Sequence, residues 1–511
     1  MKRLLYILIS FLPLGMSAQN MYEIAPLMQN ELTGTSRYIS MGGSMGALGA
    51  DVSVMGSNPA GIGLYRSSDF AITGSMGFYN TNAVYNGNAT KSKGTVFDVE
   101  NFGAVLANKV NNAGSLKFLN FGIGYRRTNN FSGEFAMAGP SNGYSQQYAI
   151  RDLYDMKPFE LKDVDYKAFE GFYYSWLPLL ATYANIVDKD DNLITKPDGS
   201  LIYEPTDVEY TSEKRGGTME VDFNFAANIN DRFYFGATLS LVNVDYSMNS
   251  VYYEYNEEGT IYSIGNSNKM EGTGCNIKLG AILRPFKYFP FKLGVAVHTP
   301  TWYNIRNLYY ADIWGPADED YYDTRNEDLY YDILETRSRF FTPWRFIASA
   351  SYTFDAIMAF NVDYEFADYS SAGYTSLDAG SKSVQNEEIS LNLRGQHNIR
   401  AGVEFNVGAG ISLRAGYNYS TAMFNGGAYK DMITVPCTTT STEYENIFET
   451  EAVTLGGGYR GKVFYFDMAY VLSSRKSDFY TYYDPSSEEP SPAASVDQTN
   501  HTITATFGLR F

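Results

Sequence analysis

A period of two, written in large apolar side chains, constrains this chain more than any other feature. In "TMEVDFNFAANI", Met219, Val221, Phe223, Phe225, Ala227 and Ile229 share one face. Glu220, Asp222, Asn224 and Asn228 share the other. The short "NDR" follows, and then Phe233, Phe235, Ala237 and Leu239 resume the pattern. It recurs at Met358, Phe360, Val362, Tyr364 and Phe366, which oppose Asn361, Asp363 and Glu365. Ile399, Ala401, Val403, Phe405 and Val407 oppose Arg400, Glu404 and Asn406. After "GAG", Ile411, Leu413, Ala415, Tyr417 and Tyr419 oppose Ser412, Arg414 and Asn418. Successive strand residues point to opposite faces, so each segment reads as a β-strand with two unlike environments.

Soluble sandwiches also alternate, but three features favour a membrane barrel. The apolar faces are bulky and aromatic while the other faces carry charge, which suits lipid outside and a wet or plugged lumen inside. Connections alternate between tight turns ("IND", "FDA", "GAG") and long acidic ones ("GPADEDYYDTRNED", "DPSSEEPSPAASVDQ"). The last strand, "HTITATFGLRF", puts Ile503, Ala505, Phe507, Leu509 and Phe511 on one face. Phe507, Leu509 and the terminal Phe511 form the outward aromatic signature by which barrel assembly machinery is expected to recognise an outer-membrane strand.

About fourteen strands are predicted. They start near 69, 96, 117, 217, 232, 262, 288, 330, 356, 388, 409, 445, 462 and 500. The fold class is therefore all-β: a transmembrane antiparallel β-barrel with an N-terminal hatch and long extracellular loops carrying short helices. Residues 132–216 are predicted to form one long extracellular excursion, with helical spacing in "QQYAIRDLYDM" and "YKAFEGFYYSWLPLLATYANIV" and a break at Pro178.

The remaining composition narrows location and chemistry. "MKRLLYILISFLPLGMSAQN" has the charged, apolar and small-residue order of a secretory signal peptide, cut after Ala18. Elsewhere no run approaches the ~20 apolar residues of a membrane helix. The net charge is −18, or −20 once Lys2 and Arg3 leave (−18 − 2), so no nucleic-acid partner is expected. Of 2 Cys, Cys275 falls in a strand and Cys437 in a loop, and both are expected to be unpaired. The 3 His (His298, His397, His501) lie singly in or beside strands and suggest neither metal nor cofactor, haem included. No G-x-S-x-G elbow or spaced calcium-loop pattern stands out, and the chain is not expected to be an enzyme.

"SMGALGADVSVMGSNPAGIGLY", residues 44–65, lacks both the dinucleotide-binding glycine spacing and the Gly-Lys-Ser/Thr of a phosphate loop. Gly42, Gly43, Gly46 and Gly49 permit close backbone packing. Asn58 and Pro59 set a rigid corner with Ala60 and Gly61. Residues 19–68 are read as the hatch and 69–511 as the barrel.

The order of this segment, the Asn58-Pro59-Ala60-Gly61 motif and then the first strand resembles the FadL/TodX-type outer-membrane transporters of hydrophobic compounds. Further similar stretches are "GVAVHTPTWYNI", "TPWRFIASASYTF", "HNIRAGVEFNVGAGISLRAGYNYS" and "LGGGYRGKVFYFDMAY". The resemblance spans the mature chain except 132–216. It implies a monomeric barrel in the outer membrane of a Gram-negative bacterium, surrounded by outer-membrane lipid and lipopolysaccharide. It also implies passive uptake of a hydrophobic, long-chain fatty-acid-like ligand. The ligand would be caught by extracellular loops, held in an apolar lumenal pocket and released sideways beside an inward-kinked third strand. Tyr22 and Met28 are candidate ligand contacts. The alternative function is a same-fold barrel acting as a protein-interaction or secretion-system accessory at the cell surface.

Overall fold

The computed structural model describes residues 20–110, 114–155, 177, 180, 181, 184, 186, 201, 203–286, 288–315, 321–323, 334–355, 357–375, 381–432, 440–484 and 487–511. The proposed signal peptide, Pro178 and Cys437 lie outside them, as does most of the second helical stretch.

Fourteen antiparallel strands close on themselves. They are β1 (Asp69–Tyr85), β2 (Asn88–Lys109), β3 (Leu116–Asn130, resuming as Gly133–Pro140), β4 (Asp207–Ile229) and β5 (Phe233–Asn256). Next come β6 (Gly259–Leu283), β7 (Phe291–His298, resuming as Trp302–Trp314), β8 (Leu334–Phe341, resuming as Arg345–Phe354) and β9 (Met358–Asp368). The last are β10 (Gly395–Gly408), β11 (Ile411–Ser420), β12 (Tyr444–Arg460), β13 (Phe464–Tyr480) and β14 (Ala494–Arg510). β1 pairs with β2 on one side and with β14 on the other, from Asp69↔Arg510 to Val84↔Ser495, so the sheet has no free edge. The seam ends in reciprocal bonds between Ser68 and Phe511.

The outward face carries the apolar series. Phe223 and Leu413 are 45% and 52% exposed, whereas their lumenal neighbours Asp222 and Arg414 are 2% and 6% exposed. An apolar belt of this size facing water would be an aggregation surface. Around a closed barrel it is the lipid-facing band. No described helix is long and apolar enough to cross a membrane. The chain is therefore a transmembrane barrel of the outer-membrane type. Residues 230–231, 355 and 409–410 make tight turns at the end where β1 starts and β14 finishes, the periplasmic end.

The strands outrun the sequence reading. β4, β5 and β6 have 23, 24 and 25 residues, although ~9–11 suffice to cross a bilayer. β2 begins at Asn88 rather than near 96, joined to β1 by a two-residue Asn86-Gly87 turn with both φ angles positive. Gly133–Pro140 and Asp207–Lys214 pair with each other, so the 132–216 excursion shrinks at both ends. Above the membrane the outward face meets water, and without an apolar face the alternation fades.

A helix, α3 (Gln146–Asp155), lies in the shortened excursion. A second, α4 (Ser381–Asn392), joins β9 to β10. At this end Tyr85, Ile150, Leu180, Tyr252 and Tyr262 belong to one buried cluster.

Candidate functional site: the lumen, its hatch and its cavity

Residues 20–65 lie within the barrel, bonded to the inward faces of strands around its circumference. Two short helices carry the first part. Asn20 caps α1 (Met21–Met28) by accepting from Tyr22 N at 2.9 Å, and Thr35 caps α2 (Ser36–Ser40) from Tyr38 N at 3.1 Å. α2 ties to the last strand, with Ser36 N donating to Thr506 Oγ1 at 2.7 Å and Ser36 Oγ lying 2.8 Å from Thr504 Oγ1. Arg37 reaches across to Glu404 on β10 through two nitrogens, at 3.0 and 3.1 Å.

Beyond α2 the chain makes little regular structure, so its backbone N–H groups need other acceptors. β9 supplies them. Asp363 accepts from Met45 N at 3.1 Å and Gly46 N at 3.0 Å, and Asn361 Oδ1 accepts from Ala47 N and Leu48 N at 3.3 and 3.1 Å. Asn58 caps a 3-10 turn, Pro59–Leu64, and its Nδ2 donates to Gly46 O at 2.7 Å. Ala60 N returns to Asn58 Oδ1 at 3.2 Å, Gly61 N bonds to Asn58 O and Gly61 O accepts from Ala50 N. His298, buried on β7, bonds Ser57 O through Nε2 at 2.8 Å; His397 and His501 lie on the outer face beside Tyr364 and Tyr470.

The wall receives this segment on glycine. A side chain at Gly294 would meet Gly46 O at 2.8 Å and Asn58 Nδ2 at 3.0 Å. Gly236 and Gly280 leave room for Pro59 and Asn58, and Gly402 and Gly416 for Met41 and Gly42. Gly42 itself has φ +65°, and a Cβ there would stand 2.7 Å from Tyr417 N. The glycines therefore work on both sides of the contact.

Beneath and beside it the lumen holds buried ion networks, where the alternation alone implies only a charged face in a wet or plugged lumen. Glu220 accepts from Arg126 at 2.5 Å and Lys278 at 2.6 Å. Glu365 pairs with Arg400 at 2.5 Å and Arg345 at 3.6 Å. Arg414 bridges Glu404 at 2.6 Å and Asp467 at 2.5 Å. Single strands showed these residues as inward, but not which would meet across the lumen.

Above the hatch lies a cavity of about 500 Å³. Tyr22 lines it, stacked on Phe424 with ring centroids 5.5 Å apart and bonded through its hydroxyl to Asn446 at 2.7 Å. Met28 does not line it. It is 1% exposed among Tyr369 and Phe340, and its carbonyl accepts from Arg345 at 2.6 Å. The cavity is not the uniformly apolar pocket expected. Aromatic rings share its wall with Glu100, Asn268, Asn398 and Glu443. α1 is tethered at the mouth by Met21 N to Glu388 at 3.2 Å and Tyr309 Oη to Glu23 at 2.6 Å. Burial raises Glu23 to about 7 and Glu388 to about 8. Lys430 pulls both back down, and Asp431 pushes Glu388 further up.

One side of the cavity reaches an interruption in the wall. β2 pairs with β3 only between Asn101↔Arg126 and Lys109↔Phe118. Above that, β3 shifts register at Arg127/Asn129, breaks at Phe131–Ser132 and pairs only with β4. Side chains stitch the interval. Asn130 Nδ2 donates to Asp98 at 2.6 Å, Arg127 pairs with Asp98, and Glu134 N donates to Tyr79 Oη at 3.0 Å. Val96, Asp98, Phe131, Ser132 and Gly133 line the cavity here.

The architecture is a closed fourteen-stranded barrel with a lumenal N-terminal segment and an interrupted third strand. Solved structures share this fold. A Pseudomonas aeruginosa FadL homologue superposes with TM-score 0.56 at 11% identity, covering 94% of this chain and 99% of that one. A deltaS2 mutant of the TodX monoaromatic hydrocarbon channel gives 0.53 at 12%, over 94% and 100%. The P. putida toluene transporter TodX gives 0.50 at 12%, over 94% and 99%. The chain thus has the FadL/TodX fold. No protein-family model matches it, and no curated protein matches its sequence.

Proposed function

We propose that this protein is a passive outer-membrane channel for hydrophobic small molecules. A ligand enters at the extracellular mouth beside α1, occupies the cavity over the hatch and leaves sideways between β2 and β3. The hatch, residues 20–68, blocks the straight path to the periplasm. The similar structures include a toluene transporter and a monoaromatic hydrocarbon channel, which supports this solute class.

The observation that carries the reading is the cavity's reach from Tyr22 to the unpaired interval of β2 and β3. A water-filled pore offers a greasy solute no binding energy, whereas each methylene buried contributes about 0.8 kcal/mol. A side exit delivers the solute to the membrane without exposing it to water. The chemistry is binding and release, with no covalent step.

The test is a lock across the interval. Asp98→Cys with Asn130→Cys, in a Cys275→Ser and Cys437→Ser background, places two thiols where the native side chains bond at 2.6 Å. Oxidation should abolish uptake of a hydrophobic tracer into proteoliposomes, and reduction should restore it. Uptake that ignores the cross-link would rule out the lateral path.

A further inference from the structure

The cavity wall has an unequal supply of hydrogen-bonding groups. Glu100 on β2 is 9% exposed; its Oε1 accepts from Ser75 at 2.6 Å, and its buried Oε2 has no partner. Glu23 on α1 repeats this, with Tyr309 on one oxygen and nothing on Oε1. Asn268 Oδ1 and Asn398 Oδ1 are also buried and unpartnered, and Asn268 is 8% exposed. All four residues line the one cavity. An amide can turn to present its N–H; a carboxylate has only acceptors when ionised, so Glu100 and Glu23 set the sign.

The lumenal cations are mostly committed elsewhere. Arg345 and Arg400 share Glu365, Lys430 donates to Ser441 O at 2.6 Å, and Arg475 lies 3.4 Å from Glu445, its Nε the one unpartnered buried cationic donor among the described lining residues against the four acceptors. Lys214 lies by Glu445. Among the described residues no basic nitrogen comes within 4.0 Å of Glu23, Glu31, Glu100 or Glu443. Tyr22, Phe131, Phe135, Tyr246 and Phe424 line the same space with aromatic rings. Unpaired buried acceptors cost free energy until a donor arrives, and a second carboxylate brought among them would be repelled.

On the channel reading above, we infer that the cavity selects hydrophobic compounds whose polar end donates hydrogen bonds, alcohols or amines, and disfavours those ending in a carboxylate. The apolar body lies on the rings. The donating head meets Glu100 or Glu23, the amides completing its shell. This departs from the fatty-acid-like ligand expected from sequence resemblance.

Three ten-carbon probes differing only in the head test this: decanol, decylamine and decanoate. Each is titrated calorimetrically into the full-length mature protein in nanodiscs at pH 7.5, with empty nanodiscs as the blank. Decanol and decylamine should each bind at least tenfold more tightly than decanoate. Decanol alone binding would identify the head as a neutral hydroxyl, and decylamine alone as a cation; either supports the inference. Glu100→Gln and Glu23→Gln, each checked for native unheated gel mobility, should narrow the gap to decanoate severalfold. Decanoate binding as tightly as the other two overturns the head-group inference and leaves the channel reading standing. An unchanged gap in both variants overturns the assignment to Glu100 and Glu23. Absence of binding by all three overturns the channel reading together with it.

Discussion

Replacing Glu220 by Gln is the most discriminating single change to the interior. Phase alone puts Glu220 on the lumen face, where a neutral substitute should cost far less than a charge placed on the lipid face. The structure reverses that expectation. Glu220 Oε2 holds Arg126 at 2.5 Å and Lys278 at 2.6 Å, and Oε1 accepts from Asn276 at 3.3 Å. The side chains of Arg126, Glu220 and Lys278 are only 9%, 9% and 4% exposed. Gln keeps the shape and one acceptor but leaves two buried cations to share Asp222, which is 3.4 Å from Lys278. Breaking a buried ion pair from one side costs about 3–5 kcal/mol. The amide oxygen recovers about 1 kcal/mol as a hydrogen bond. The expected loss is therefore about 2–4 kcal/mol, no smaller than the ~2–4 kcal/mol for Phe223→Arg at mid-membrane. Guanidinium titrations in lipid vesicles, read by tryptophan fluorescence and heat-modifiable gel mobility, measure both. Adding Lys278→Met to Glu220→Gln should recover part of the loss, since one of the two stranded cations goes with it and Asp222 is left to Arg126. A Glu220→Gln loss under about 1 kcal/mol, the size of an ordinary substitution, would refute the network argument.

Gly416→Val should overpack the hatch contact by about 1–3 kcal/mol, because its side chain would enter the space of Met41 and Gly42; limited proteolysis of residues 20–65 should then speed up. Deleting residues 20–55 with residues 1–19 kept should raise single-channel conductance in planar bilayers and abolish discrimination between hydrophobic ligands and small ions. Glu23 and Glu388 have folded pKa values of about 7 and 8, above the ordinary 4.5, so docking of α1 favours their protonated forms. Their penalty is absent below pH ~4.5, grows between there and ~8 and is complete above that. Amide protection factors across Met21–Met28, taken against the intrinsic exchange rate at each pH, should accordingly be higher at pH 5 than at pH 8, and Glu23→Gln with Glu388→Gln should flatten the difference. Removal of Phe511 should lower the surface-exposed yield, since it breaks the bonds with Ser68 that end the seam.

The strands were legible where two solvents compete for them. Phe223, Phe225, Phe360 and Leu413 face lipid while Asp222, Asn224, Asn361 and Arg414 face the lumen, and that contrast is written at every second residue. It fails at Asn88–Gly94 and Asp207–Gly216, where water touches the outer face and either phase is tolerated, so strands there resembled loops. The cavity was less legible for another reason. Its character depends on Glu100, Asn268 and Asn398 converging from β2, β6 and β10, and no local pattern records which strands face each other across a lumen. The Asn361–Asp363 cradle was similarly hidden. Both residues were visible as inward polar positions, yet their acceptors serve a backbone more than 310 positions earlier in the chain.

The bond between Ser36 and β14 has a consequence for the order of events in assembly. Ser36 lies near the start of the described chain, whereas Thr504 and Thr506 lie near its end. The strand that carries them must also find β1 to complete the cylinder. Closure thus sets residues from the end of the chain in register against a segment from near its start. A misplaced hatch would leave Thr504 and Thr506 facing the wrong partners at the moment the wall is sealed. The strand that completes the wall therefore also touches what the wall contains, and one element serves both contacts.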